Sequence, residues 1–105
     1  MEAFPREVIA CQDDNGAEPF TDWLNSLDKE TRAVVINRVD RVENGNFGDV
    51  KFVGEGVYEL RIDHGPGYRV YFGQEGLTVH LIRGGNKSTQ QADIETAQRF
   101  WNQHD

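Results

Sequence analysis

Several features that mark other classes of protein are missing from this chain. It has a single cysteine, Cys11, so it cannot form an internal disulfide bond. It contains no apolar run long enough to span a bilayer and no apolar N-terminal leader. One cysteine and three scattered histidines give no spacing typical of a metal site, so the sequence predicts neither a metal nor a cofactor. We therefore expect a cytoplasmic protein that does not contact a membrane.

Basic residues are also in short supply. The 105 residues include 11 lysines and arginines against 18 aspartates and glutamates, a net charge of −7 that disfavours binding to a polyanion. The imbalance lies in residues 1–50, which hold five basic and eleven acidic residues. Residues 51–90 hold five basic and four acidic residues, so any anion site is expected there. An apolar content of 37% suffices for one core, and we expect residues 1–105 to form a single domain.

The first half of the chain reads as one strand followed by two amphipathic helices. A short apolar run over residues 7–10 predicts the strand. Pro19 suits the first turn of a helix whose apolar residues share one face, namely Phe20, Trp23, Leu24 and Leu27. Asp28 suits the N-cap of a second helix, which Asn44 and Gly45 end. Its apolar stripe is Val35, Ile36, Val39 and Val42, and its basic residues are expected to face outward: Lys29, Arg32, Arg38 and Arg41.

The second half of the chain reads as a three-stranded meander and a last helix. Apolar and polar residues alternate over residues 57–63 and 68–74, which predicts strands buried on one side only, and residues 77–82 complete the meander. The pair Gly84 and Gly85 is expected to break the last strand. Ser88 and Gln91 match a capping box that opens the helix. The predicted order is β-α-α-β-β-β-α, an α+β domain.

Two arginines are the best candidates for chemistry. Arg61 and Arg69 fall on adjacent predicted strands and on the same, non-apolar face, so they should be near neighbours across the ladder. A pair of guanidiniums matches phosphate oxygens and can neutralise charge that builds on a phosphoryl group. The alternative is that both are salt-bridged to acids of the same face, Glu59 or Asp63.

A few further residues could join such a site. Lys87 follows the glycine pair where the last strand leaves the sheet, and it is a third candidate for anion binding and catalysis. Candidates for contact with RNA are Tyr71, which lies on the arginine face and could stack on a base, His64 in the strand turn, and Arg83. The alternative is that these residues have structural roles, with the glycine pair serving only as a strand exit.

The motifs of the second half occur in a recognisable order. They are Gly45-Asn46-Phe47-Gly48-Asp49, Val57-Tyr58-Glu59-Leu60-Arg61, Gly65-Pro66-Gly67-Tyr68-Arg69-Val70-Tyr71-Phe72, Gly84-Gly85-Asn86-Lys87-Ser88-Thr89-Gln90 and Asp93-Ile94. Together they resemble the addiction module killer protein branch of the RelE/ParE toxin superfamily, close to HigB-type toxins. The segment with Trp23 and Leu24 also resembles the first helix of that branch, so the resemblance covers nearly the whole chain.

The resemblance implies a fold, an activity and partners. The fold would be RelE-like, with two N-terminal helices and a C-terminal helix packed on a curved antiparallel sheet. The activity would be that of a type II toxin, an endoribonuclease that cleaves messenger RNA, usually on the ribosome, by attack of a ribose 2′-OH without metal or cofactor. Arg61, Arg69 and Lys87 match basic positions of the family. The partner would be a helix-turn-helix antitoxin.

This sequence also departs from the family pattern. RelE has a catalytic tyrosine near the C-terminus, whereas residues 90–95 contain none, and Glu59 stands where RelE has a lysine. The general base is therefore unassigned among Tyr71, His64 and Asp93. Two other functions stay open: a ParE-like binder that inhibits DNA gyrase, and a catalytically weakened homologue that binds an antitoxin to regulate its operon.

Overall fold

The fold consists of three helices and a five-stranded mixed sheet. The computed structural model describes residues 4–104. The helices are α1 (Pro19–Ser26), α2 (Lys29–Glu43) and α3 (Gln90–Asn102), and a 3-10 turn over Lys87–Thr89 leads into α3. The strands are β1 (Glu7–Ala10), β2 (Val50–Gly54), β3 (Val57–Ile62), β4 (Tyr68–Glu75) and β5 (Thr78–Asn86). No helix within the described range is long and apolar enough to cross a membrane.

The sheet order is β1-β5-β4-β3-β2. Strands β2 to β5 pair antiparallel, and β1 pairs parallel with β5 at the edge. The predicted α+β class is confirmed. The prediction of a purely antiparallel sheet is wrong, because β1 pairs parallel with β5. Two helices and three strands separate β1 from β5 in the chain, so no local pattern relates the two strands. The strand β2 was also missed. Val50 and Phe52 are exposed at the sheet edge and Val53 is half-buried, so this short strand lacks the alternation that marks the other strands.

The N-terminal helices begin where the sequence predicts. Pro19 occupies the first position of α1, and the Asp28 carboxylate accepts a hydrogen bond from the Thr31 amide at 3.2 Å, which confirms the predicted cap of α2. Both helices cover one face of the sheet. The core between them is made of Phe20, Val35, Val42, Leu60, Ile62, Val70, Phe72, Val79 and Leu81.

Helix α3 covers the opposite face and creates a second core of Cys11, Val57, Tyr71, Ile82 and Ala97. The prediction that the strands are buried on one side only is therefore wrong for β3, where Val57, Glu59 and Leu60 are all fully buried. Residue alternation assigns side chains to faces but does not reveal which face a distant helix covers. Ser88 does not cap α3 either, since the Asn86 side chain accepts the Ser88 amide at 2.9 Å and caps the 3-10 turn instead.

One arginine of α2 faces inward. Arg38 is only 5% exposed, whereas Ile36, expected in the apolar stripe, is 42% exposed. The Arg38 guanidinium donates to the backbone carbonyls of Phe47 and Asp49 and so joins α2 to the segment that leads into β2. The prediction that Arg38 faces outward is therefore wrong, because its guanidinium turns inward to bind the carbonyl groups just before β2.

The glycine pair does not break β5, as the sequence suggested, but lies within it. Gly84 lies directly under the Trp23 ring of α1, and Gly85 lies under the Asp93 carboxylate of α3. A β-bulge at Ile82, opposite the step from Tyr71 to Phe72, offsets the register before them. These glycines therefore let a helix approach each face of the strand closely.

We predict that Gly84→Ala destabilises the fold by about 1–3 kcal/mol, because the added methyl group would overlap the Trp23 ring. Urea unfolding measures the change. In a Trp23→Ala background the same substitution should cost less than half as much, since the overlap is relieved. Equal costs in the two backgrounds would contradict this packing.

Candidate functional site

The three candidate catalytic residues meet at one end of the sheet. Arg61 on β3 and Arg69 on β4 are direct partners in the antiparallel register, which confirms their predicted adjacency. The Lys87 amide donates to the Gly67 carbonyl at 3.1 Å, which places the start of the 3-10 turn beside the β3–β4 turn. All three line a cleft of about 370 Å³, together with Asp49, Ile62, Asp63, Gly65, Pro66, Gly67 and Tyr68.

A buried carboxylate holds the two arginines. Glu59 has no exposed surface, and its Oε1 accepts a hydrogen bond from Arg61 Nε at 3.0 Å. Its Oε2 accepts from the Tyr71 hydroxyl at 3.1 Å and from Gln90 Nε2 at 2.8 Å, and lies 3.7 Å from Arg69 Nε. The salt bridges left open by the sequence therefore form, and they involve Glu59 rather than Asp63.

These contacts keep Glu59 ionised. Burial by itself raises the pKa of its carboxyl group, but hydrogen bonds from Gln90 and Arg61 outweigh that effect and hold the pKa below its ordinary value. The Tyr71 hydroxyl and the charge of Arg69 act in the same direction. Burial and the nearby Glu59 charge raise the pKa of Tyr71 well above its usual range, so this phenol stays protonated and acts as a donor.

The guanidiniums keep anion-binding capacity in spite of Glu59. Both ion pairs are made through Nε, so the terminal Nη groups are the part of each guanidinium that can bind an anion. Arg69 Nη1 lies next to Gly67, on the cleft wall, and the Arg61 side chain is 37% exposed. Two forks of donors and an exposed lysine can thus face one phosphate group.

The cleft continues along α2. A neighbouring cavity of about 680 Å³ shares Asp49, Arg61, Ile62 and Asp63 with the cleft. Its far wall is formed by Asn37, Arg38 and Arg41. Of these arginines, Arg38 is buried and used in structure, whereas Arg41 is exposed. The two cavities form one groove with basic residues along its length.

The predicted RNA-contacting residues lie elsewhere. Tyr71 is fully buried in the second core, beneath α3, so its ring is not accessible to a base. The stacking role predicted for Tyr71 is corrected by this burial. Arg83 Nη2 is bound to Asp93 Oδ1 at 3.1 Å and does not line the cleft. His64 lies in the β3–β4 turn, half-buried, with its ring 6.3 Å from that of Tyr68, and it too is outside the cleft lining.

The carboxylates of the cleft differ from those predicted. Asp93 was a candidate base, but it is buried, paired with Arg83, and accepts a hydrogen bond from Thr89 Oγ1 at 2.6 Å. Asp49 and Asp63 are exposed and line the cleft beside Arg61. Sequence reasoning missed Asp49 and Gln90, because nothing in their spacing relates them to β3 before the chain is folded.

We predict that Glu59 makes stability dependent on acid pH. A lowered carboxyl pKa stabilises the fold fully above the ordinary value of 4.5, and this contribution is lost as pH falls through the folded-state pKa. Glu59→Gln should therefore lower the unfolding free energy by about 2–3 kcal/mol at pH 7 and flatten its decline below pH 4.5. Urea unfolding between pH 3 and 7 measures both effects. The exposed Glu95→Gln is the matched control, and a Glu59→Gln profile parallel to that control would contradict the prediction.

Comparisons with known proteins identify the family. The model of the family described as "Phage derived protein Gp49-like (DUF891)" matches residues 22–102, which include both cavities. A protein of Haemophilus influenzae, described as an uncharacterized protein, is 50% identical over 80 residues, which is 74% of this chain and 81% of that protein. No solved structure matches the chain. The chain therefore belongs to the family of phage-derived Gp49-like proteins, which is a RelE-like, toxin-like family.

Proposed function

We propose that this protein is the toxin of a type II toxin–antitoxin pair, with a RelE-like fold close to the HigB branch. Its activity is endonucleolytic cleavage of messenger RNA, and a helix-turn-helix antitoxin holds it inactive. The observation that supports this function is the convergence of Arg61, Arg69 and Lys87 on one open cleft. Membership of a toxin-like family supports the same reading.

The cleft suits transesterification of a phosphodiester. The ribose 2′-oxygen forms a bond to phosphorus while the bond from phosphorus to the 5′-oxygen breaks, which leaves a 2′,3′-cyclic phosphate and a 5′-hydroxyl. The 2′-OH proton passes to a carboxylate of the cleft, Asp49 or Asp63, and the leaving 5′-oxygen takes up a proton from water. The Nη groups of Arg61 and Arg69, with Lys87, neutralise the charge that builds on the phosphoryl oxygens.

Glu59 is a positioning residue in this proposal. It holds Nε of both arginines from behind, so their Nη groups are oriented before RNA arrives. Its negative charge also offsets part of their positive charge. The site therefore binds a single phosphate in a defined orientation rather than attracting RNA through a strong general field.

The groove beside α2 gives the RNA a path. A strand whose scissile phosphate lies between Arg61 and Arg69 can extend toward Asn37 and Arg41. Arg41 is exposed and is the cation available to a second phosphate along that path. The length of the groove favours a polynucleotide substrate over a mononucleotide.

We predict that Arg61→Ala and Arg69→Ala each slow RNA cleavage by about 10²–10³-fold, since each removes a donor for the transition-state charge. Primer extension on a defined messenger RNA, within minutes of induction in cells, should show new ends that vanish with the double variant. The matched control is Arg99→Ala, which removes one positive charge from the exposed face of α3. This variant should cleave RNA like the wild type.

One observation favours the second candidate function, a weakened homologue that only binds its antitoxin. Glu59 lies between Arg61 and Arg69 and pairs with both, which reduces the positive charge available for catalysis. Absence of cut ends and of growth arrest, together with a stable antitoxin complex, would support this function. Growth arrest without cut ends would instead support gyrase binding, and either result would contradict the nuclease.

We predict that Arg41→Ala weakens RNA binding without altering stability, because this side chain is exposed and lines only the outer groove. Affinity for a short single-stranded RNA, measured at several salt concentrations, should fall. The slope of log affinity against log salt concentration should become shallower by roughly one unit. Arg32→Ala, also on α2 but outside both cavities, should retain the wild-type salt slope. Equal slopes for Arg41→Ala and wild type would exclude this path.

A further inference from the structure

A cluster of two histidines and one glutamate forms at the other end of the sheet. Glu75 ends β4, His80 lies on β5, and His104 follows α3. His80 Nε2 lies 3.1 Å from Glu75 Oε1, and His104 Nε2 lies 3.4 Å from the same oxygen. The three ligand atoms all lie within 4.8 Å of one another. The scattered histidines of the sequence are thus brought together by the fold.

Aromatic packing fixes the orientation of both imidazoles. The His104 ring stacks on Trp101 with centroids 4.7 Å apart and planes 10° apart, and the His80 ring lies 5.3 Å from Trp101. Trp101 in turn lies directly over Gly73 of β4, where a Cβ atom would overlap the indole. The tryptophan therefore positions two nitrogen donors beside one carboxylate, and the absence of a side chain at Gly73 makes that position possible.

We propose that Glu75, His80 and His104 form a binding site for a divalent transition metal ion such as Zn²⁺. Imidazole nitrogen and carboxylate oxygen are ligands that zinc prefers, at about 2.0–2.2 Å. In a tetrahedral site with such bonds the ligand atoms are separated by about 3.4 Å. The observed separations of 3.1 and 3.4 Å from Glu75 Oε1 match that spacing, and the two imidazole nitrogens lie within 4.8 Å of each other.

The cluster combines buried and accessible ligands. The His80 side chain is 11% exposed, that of His104 is 24% exposed and that of Glu75 is 57% exposed. The site therefore has two nitrogen donors and one oxygen donor, and it can be reached from solvent past Glu75.

This metal site goes beyond the proposed RNA cleavage and does not depend on it. Glu75 lies six residues along β4 from Arg69, a separation of roughly 20 Å. A metal here would tie the end of α3 to the β4–β5 turn. Because Gln90 at the start of α3 contacts Glu59, the ion would stabilise the helix whose first turn supports the arginine cleft.

Titration of the untagged full chain with ZnCl₂ tests the proposal. Isothermal calorimetry should show one ion bound per chain, and at a hundredfold excess over Kd the Tm should rise by about 10 °C or more. Co²⁺ as a second probe should give the visible absorption of a site with nitrogen and oxygen ligands. No binding of either ion would overturn the proposal.

Single substitutions locate the ion. His104→Gln and Glu75→Gln are the informative variants, because both residues are partly exposed and should leave the fold intact by circular dichroism. Each should remove most of the Zn²⁺-dependent rise in Tm. His64→Gln removes the histidine that lies outside the cluster and should keep the full rise. Zn²⁺ stabilisation that survives both cluster variants would overturn this site, as would its loss in His64→Gln.

Discussion

The carboxylate of Glu59 has no access to water, so protein donors must satisfy it. A buried charge without such partners costs several kcal/mol or is neutralised by protonation. Here Arg61 from its own strand, Tyr71 and Arg69 from β4, and Gln90 from α3 provide hydrogen bonds and charge around its two oxygens. One carboxylate thus joins two strands to the last helix. The same contacts fix the direction of both guanidiniums, which makes the cleft a consequence of how the fold satisfies Glu59.

The sheet is covered on both faces, and this requires small residues where helices approach. Gly84 lies against Trp23 of α1, Gly85 against Asp93 of α3, and Gly73 against Trp101. Helices α1 and α3 are therefore held close to the sheet by side chains that lie directly on glycine backbone. The end of the sheet near the β3–β4 turn is open, and the cleft lies there. Packing thus determines the location of the site, and Glu59 determines its electrostatics.

Much of the architecture could be predicted from local patterns. Alternation placed Arg61 opposite Arg69, and capping placed the start of α2 at Asp28, because both depend on residues close in the chain. Burial of Glu59 and Tyr71 could not be predicted, since it depends on α3 folding back over the polar face. For the same reason the sequence predicts a strand end at Gly84 and Gly85, although both residues lie inside β5.

We propose that the arginine cleft cleaves RNA by attack of the ribose 2′-OH. Chemical analysis of the cut ends of messenger RNA, recovered soon after induction, is the most direct test of this mechanism. We expect a 2′,3′-cyclic phosphate on the upstream fragment and a 5′-hydroxyl on the downstream one. Ends with a 3′-hydroxyl and a 5′-phosphate would mean that water, not the ribose, attacks the phosphate, and would rule out this mechanism.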